Sequence, residues 1–189
     1  MDVRTLCLAV LSKGEATGYE IKKAFEEGPF AHFQRASFGS IYPALSRLLA
    51  DGQVEAQAME QEGRPDKKIY RLTASGRAAF HAALTAPPDA DQYRSDLLFL
   101  LFFARHLPPA RTAALLDTAI ANYRDHVKRI SECKAEREAK SQGTGLALDP
   151  GREFVAGFGA TIYQAAADYL EINRGALLAD LQGQAEAAE

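Results

Sequence analysis

The chain has 189 residues, 47% of them apolar and 25% charged, with a formal net charge of −3. That length and apolar content suit one or two domains with a real core and exclude a disordered or fibrous chain. The two cysteines, Cys7 and Cys133, lie far apart in sequence without metal-ligand company, which suggests neither a disulfide framework nor a zinc site.

The opening residues, "MDVRTLCLAVLSKGE", make only three helical turns and carry Asp2 and Arg4. They are too short and too polar for a signal peptide or a membrane span, so a cytoplasmic location and no membrane partner are expected. Val3, Leu6, Cys7, Val10 and Leu11 recur at helical spacing, which predicts a first helix over about residues 2–12 with one buried face that includes Cys7. "KGEATG" breaks it. "TGYE" then reads as a capping box, with the Thr17 hydroxyl serving the Glu20 amide and the Glu20 side chain reaching back. The second helix buries Ile21, Ala24 and Phe25, leaves Tyr19, Lys22, Lys23 and Glu26 outside, and ends near "EEGP".

The third helix comes from "ASFGSIYPALSRLLADG", residues 36–52, and ends where Gly52 can take the left-handed conformation. With Ile41, Leu45 and Leu48 inward, its other side carries Ser40, Pro43, Arg47 and Ala50. Two starts are open. If Ser40 is the cap, Pro43 is the third helical residue, whose N–H would have had no partner anyway. If the helix starts at Ser37, Pro43 is the sixth and forfeits a bond to the Gly39 carbonyl.

"VEAQAME" and "KKIYRLT" read as paired strands around the turn-rich "QEGRPDK", a hairpin whose tip carries Arg64, Lys67 and Lys68. Thr73 caps a fourth helix, "ASGRAAFHAAL", which stops at Pro87-Pro88. Three short helices, a hairpin and a further helix are the order of a winged helix-turn-helix domain, in which the third helix enters the major groove and the wing tip lies along the backbone. The side chains fit that use. Small residues on the third helix allow close approach, Arg47 offers a cation to a guanine edge or a phosphate, and the wing cations face phosphates. Tyr19, Lys22 and Lys23 are placed to clamp a strand. Taken singly, exposed lysines and a charged hairpin tip are ordinary solvated surface; their convergence on one side of a DNA-docking geometry carries the reading. Residues 1–85 hold 11 Lys and Arg against 10 Asp and Glu, and residues 86–189 hold 11 against 15. A DNA-binding first half is therefore permitted, because the contact surface and not the whole domain must be basic.

"GYEIKKAF", "SFGSIYPALSRLLADG" and "GRPDKKIYRLTASG" together resemble the N-terminal domain of the PadR family of bacterial transcriptional regulators, over about 80 residues. The resemblance implies a homodimeric repressor of double-stranded DNA, usually released by a small molecule such as a phenolic acid or a drug. It also implies that Tyr19, Ser40, Tyr42, Pro43, Gly63, Arg64, Pro65, Lys68 and Tyr70 fill the family's motif positions. The expected DNA-facing set is Tyr19, Lys22, Lys23, Ser37, Ser40, Tyr42, Pro43, Arg47, Arg64, Lys67, Lys68 and Tyr70, with Glu60, Glu62 and Asp66 diluting the wing's charge.

After the prolines, "DLLFLLFFARHL" is apolar nearly all round, and in so small a chain a second subunit is its natural cover. Residues 108–140 read as one long helix with Leu116, Ile120, Tyr123, Val127 and Ile130 in coiled-coil steps. "SQGTGLALDPG" interrupts, Asp149 caps and Pro150 opens a last helix to about Leu181. Its seam of Val155, Phe158, Ile162, Ala165, Tyr169 and Ile172 is expected to pair with the long helix as an antiparallel hairpin. This half resembles the helical dimerisation domain of the longer PadR-type regulators. The expected architecture is mainly helical with a β-hairpin wing: a winged helix-turn-helix domain over 1–86 and a helical, coiled-coil-like dimerisation domain over 87–189. The dimer contact is expected to use Leu98, Leu101, Phe102, Leu116, Ile120, Tyr123, Val127, Phe158, Ile162 and Tyr169. The aromatics Phe99, Phe102, Phe103, Phe154, Phe158, Tyr163 and Tyr169 fit dimer core or the wall of a cavity for a small aromatic or drug-like effector.

An enzyme is not expected, nor a cofactor or a metal. His32, His81, His106 and His126 have no metal-ligand spacing, no glycine-rich phosphate loop follows a strand, and no serine sits in a nucleophile elbow. The competing reading is a winged helix used for protein contact. It would put large apolar residues where Ser40, Pro43 and Arg47 stand.

Overall fold

A computed structural model describes residues 1–26, 38–61, 64–91 and 93–186, and the chain divides into two units, Met1–Gln92 and Tyr93–Glu189. In the first, α1 (Val3–Leu11), β1 (Ala16–Thr17), α2 (Gly18–Glu26) and α3 (Phe38–Ala50) precede the hairpin strands β2 (Val54–Gln61) and β3 (Arg64–Leu72) and then α4 (Ala74–Thr85).

Local chemistry sets most of these boundaries. Asp2 caps α1 by accepting from the Thr5 amide at 2.9 Å. The capping box at α2 forms in both directions: the Glu20 amide donates to Thr17 Oγ1 at 3.2 Å, and the Thr17 amide donates to Glu20 Oε2 at 2.8 Å. Gly52 closes α3 at φ +65° while the Gln53 amide donates back to the Leu48 carbonyl. Thr73 accepts from the Gly76 amide at 3.0 Å and donates to the Gln53 carbonyl at 3.0 Å, so one hydroxyl both starts α4 and fastens it to the end of α3.

The hairpin acquires a third strand that the sequence pattern does not announce. β1 pairs with β3, Ala16 opposite Tyr70 and Thr17 opposite Ile69, giving an antiparallel sheet ordered β1-β3-β2. Two residues offer no alternation to read. Between sheet and helices lies the core: Cys7, Ile21, Ile41, Leu45 and Leu48 are fully enclosed, with Leu8, Leu11, Phe25, Val54 and Leu72 around them. Each of the larger side chains contributes about 1.5–3 kcal/mol by leaving water.

The second unit consists of α5 (Asp96–Phe102), a 3-10 turn over Ala104–His106, and the long helices α6 (Pro109–Thr144) and α7 (Pro150–Glu186). α6 outruns its expected end. It continues through Gly143 to Thr144 and closes at Gly145, φ +70°, whose amide donates to the Ser141 carbonyl. A single interior glycine costs about 1 kcal/mol, which a 36-residue helix absorbs. Asp149 caps α7 as expected, accepting from the Arg152 amide at 3.1 Å. The two helices run antiparallel, tied by Arg174 to Asp117 at 2.7 Å, Arg124 to Asp168 at 2.7 Å, and Arg137 to Glu153 at 2.6 Å. These hydrogen-bonded guanidinium partners, with Gln164 foremost at Asp168, hold the Asp117, Glu153 and Asp168 carboxyls below their ordinary range.

The expected α7 seam is corrected. Val155, Phe158, Ile162, Ala165, Tyr169 and Ile172 all lie exposed, Ile172 by 79%. The face that meets α6 is made instead of smaller residues such as Ala156, Ala160 and Ala167 with Tyr163 and Leu170, because small side chains let two helix backbones approach. Leu116, expected in the dimer contact, is 1% exposed and packs with Ala119 and Leu170 inside the unit, with Leu101, Ile120 and Tyr123 against the same cluster. Val127 is half-buried. Leu116 has no surface to offer a partner, while Leu101, Ile120, Tyr123 and Val127 each keep part of theirs. Among the described residues no helix is long and apolar enough to cross a membrane.

Two outcomes follow from this packing. A Cβ at Gly76 would run into the Gln53 carbonyl, so Gly76→Ala should cost about 1–3 kcal/mol in urea unfolding, whereas Gly157→Ala, with open space around it, should be neutral or gain up to about 1 kcal/mol. Burial, with Asp2 nearby, pushes the Cys7 thiol up to about 12, while Cys133 is exposed. A thiol reagent at pH 8 should therefore label one cysteine per native chain, Cys133, and two only after denaturation.

Candidate nucleic-acid interface

The candidate site begins with the inward face of α3, because its burial decides what points out. With Ile41, Leu45 and Leu48 enclosed, Gly39, Tyr42, Pro43, Ser46, Arg47 and Ala50 are exposed and Ser40 is half-buried. The helix begins at Phe38, which makes Ser40 its third residue rather than its cap and Pro43 its sixth. The earlier of the two starts holds, and the Gly39 carbonyl loses the bond that an amide at position 43 would have given. Ser37 lies outside the described residues.

An open groove of about 280 Å³ runs between the start of α1 and the outer face of α3, lined by Asp2, Arg4, Ser40, Pro43, Ala44 and Arg47. Arg4 is engaged there, donating to Asp51 at 2.5 Å and to Gln53 at 3.0 Å. Arg47 stands on the opposite wall. Sequence reasoning passed over Arg4 as part of this surface, since a contact between α1 and the end of α3 has no local signature. Ser46 was also missed, although its place one helical turn from Pro43 was readable from the spacing.

From α2, Tyr19 and Lys23 are exposed, and Lys22 is half-buried and paired with Glu26 at 3.3 Å. Lys68 is exposed on β3, and the side chains of Arg64 and Lys67 lie outside the described residues. Tyr70 is corrected: at 6% exposure it belongs to the core, facing Ala16 and Ala56 across the sheet, and burial pushes its phenol up. A ring so placed has no edge to offer DNA. Tyr42 is 42% exposed, with its ring edge against Gly18.

In the second unit the aromatics separate into two groups. Phe99, Phe102, Phe103, Phe154, Phe158 and Tyr169 are exposed, Phe102 by 82%. Tyr163 instead is half-buried, stacked on His126 at 4.6 Å and 6.0 Å from Tyr123.

Residues 7–82 match the transcriptional regulator PadR-like family. Over 74 residues the chain is 36% identical to the negative transcriptional regulator PadR of Bacillus subtilis, covering 39% of this chain and 40% of that one. The matched stretch thus spans about two-fifths of the length of the curated relatives. Among solved structures, smu.1604c from Streptococcus mutans superposes with a TM-score of 0.81 at 29% identity, over 93% of this chain and 99% of the other. The Bacillus subtilis PadR has been solved with operator DNA, where the likeness is a TM-score of 0.73 at 22% identity over 94% of this chain and 96% of the other. It has also been solved with p-coumaric acid, at a TM-score of 0.62 and 20% identity over 95% and 98%. At those identities the likeness to PadR is one of fold.

Proposed function

Because the chain belongs to the PadR-like family of transcriptional regulators, we propose that it is a homodimeric repressor. It binds double-stranded DNA sequence-specifically and releases it when a small aromatic molecule binds. The observation that carries the DNA reading is the composition of α3: Ile41, Leu45 and Leu48 with no exposure inside, and an outer face of Gly39, Ser40, Pro43, Ser46 and Ala50 around one cation, Arg47, whose one large side chain, Tyr42, rests its ring edge on Gly18. Such a face enters a major groove closely and offers a guanidinium to a guanine edge. A protein-binding face would need a large apolar anchor standing free, whereas the Tyr42 ring is seated against Gly18. Tyr19, Lys22, Lys23 and Lys68, with Ser37, Arg64 and Lys67, supply the flanking phosphate contacts in this reading.

Leu98, Phe102, Phe158, Ile162 and Tyr169 leave apolar surface exposed on a single chain, which a second copy would cover through a self-complementary contact. Residues 1–86 then serve as the DNA-binding domain and residues 87–189 as the dimerisation domain. The effector class comes from the fold relative solved with p-coumaric acid. Catalysis plays no part in this reading, and the chain works in the cytoplasm.

Selection of bound duplexes from a random pool tests the proposal, and failure to enrich any sequence would favour the protein-contact alternative. On an enriched duplex, Arg47→Ala should cost about 1–3 kcal/mol and relax specificity at one position; an equal loss on random DNA would reduce Arg47 to a backbone contact. Lys67→Ala with Lys68→Ala should make the slope of log affinity against log salt shallower by about 2, and an unchanged slope would remove the wing from the phosphates. Phe158→Asp with Ile162→Asp should convert a dimer to a monomer in sedimentation and weaken operator binding with it. A variant that still sediments as a dimer would move the contact off α7.

A further inference from the structure

We propose that Tyr42 is a positioning residue rather than a DNA contact: its ring, seated on Gly18, ties the recognition helix to the first turn of α2. This inference rests on the DNA-binding reading and adds to it what holds α3 in its binding pose.

The carrying observation is steric. Gly18 is buried and opens α2, and a Cβ added there would lie 2.7 Å from Tyr42 Cε1, 3.0 Å from Cζ and 3.2 Å from the phenol oxygen. Carbon atoms do not pack at 2.7 Å, so the ring occupies the space that any other residue's side chain would need. The requirement is one of space and not of backbone angle. Among the described residues the positive-φ glycines are Gly14, Gly52 and Gly145, and Gly18 is not among them. Helix propensity argues the other way, since alanine is the better helix former. Other helical glycines, such as Gly39, Gly157 and Gly175, have nothing within 4 Å of an added Cβ. Gly18 differs from them by the presence of one ring.

That ring also lies within electrostatic range of the sheet. Tyr42 is near enough to the buried Tyr70 phenol to add to the upward push that burial gives it. Tyr70 pairs with Ala16 of β1 on one side and Ala56 of β2 on the other, and β3 leads from Tyr70 outward through Lys68 to the wing. At Tyr42, therefore, α2 and α3 meet, with β3 close by.

The position in α3 explains the need. Pro43 follows directly, and without its N–H the first turn of α3 lacks one of the bonds that would stiffen it. A helix loosened at the end that approaches DNA gains from an external brace, because base-edge hydrogen bonds tolerate displacements of only about 0.5 Å. On this account Pro43 lets the turn open for close approach, and the Tyr42 ring on Gly18 restores its definition.

The test uses the full-length chain, the duplex that wild type enriches from a random pool, and an unrelated duplex of equal length. Gly18→Ala should weaken binding to the enriched duplex by about tenfold or more, the scale of one lost base contact, while changing the unrelated duplex by less than about twofold. Tyr42→Phe keeps the ring and should stay within about threefold of wild type, whereas Tyr42→Ala should lose about as much as Gly18→Ala. With the ring gone, adding Gly18→Ala to Tyr42→Ala should cost nothing further. Should Gly18→Ala alone fail to fold, the comparison of Tyr42→Phe with Tyr42→Ala and the double variant still decides. The inference is overturned if Tyr42→Phe loses as much as Tyr42→Ala, which would make the hydroxyl a DNA contact. It is equally overturned if Gly18→Ala binds as wild type, if it loses equally on both duplexes, or if the two losses multiply. If wild type enriches no duplex, the DNA reading falls and this inference with it before any variant is made. If it enriches one and the variants behave in the contrary way, only the positioning role falls.

Discussion

Everything proposed for this protein depends on three side chains that see no water. Ile41, Leu45 and Leu48 pin one face of α3 to the core, and at 100° per residue that leaves no freedom over which residues face out. Rotating the helix to hide Arg47 or Ser46 would bring an enclosed apolar side chain to the surface at about 1.5–3 kcal/mol each. The caps serve the same end: Thr17 with Glu20 fixes where α2 begins, and Gly52 with Thr73 fixes where α3 ends. The outer face of α3 is thus set by the inner one. Its small residues and single arginine are a consequence of register as much as of chemistry.

The second unit obeys a different constraint. α7 carries two apolar faces, one of small residues against α6 and one of large residues toward the outside. The small face lets the helices approach, and the arginine pairs at Asp117, Asp168 and Glu153 fasten the hairpin at intervals along its length. The pairs at Asp117 and Asp168 are largely solvent-exposed, so each adds little stability and serves mainly to set register, whereas Arg137 and Glu153 are mostly buried as a pair. The large face stays exposed on the single chain. The hairpin is thus complete without its biggest apolar residues, which the proposed dimer would cover.

The sequence made the first unit largely legible. The capping box, the closing glycine of α3, the Thr73 cap and the inward triplet are short-range patterns with one physical solution each, and the structure contains all of them. What it hid were contacts between residues remote in the chain. The pairing of Ala16 with Tyr70, the burial of Tyr70, the place of Arg4 beside α3 and the seating of Tyr42 on Gly18 leave no periodic trace. The α7 seam shows a related limit. Periodicity marked Val155, Phe158, Ile162 and Tyr169 as one stripe, but a stripe does not say whether its cover comes from the same chain or another. The small residues that actually pack on α6 carry a weaker apolar signal and were overlooked. Pro43 read locally as misplaced, yet in the structure it sits within α3 on the face that a groove would receive.

The central claim is that the outer face of α3 reads the major groove, twice, in a two-fold complex. Methylation interference on a duplex enriched by the wild-type chain tests it most directly, because methylating guanine N7 blocks the major-groove edge and methylating adenine N3 blocks the minor-groove edge. The account predicts interference at guanine N7 in two patches related by symmetry and spaced about ten base pairs apart. Interference confined to adenine N3, or a single patch with no symmetric partner, would contradict it.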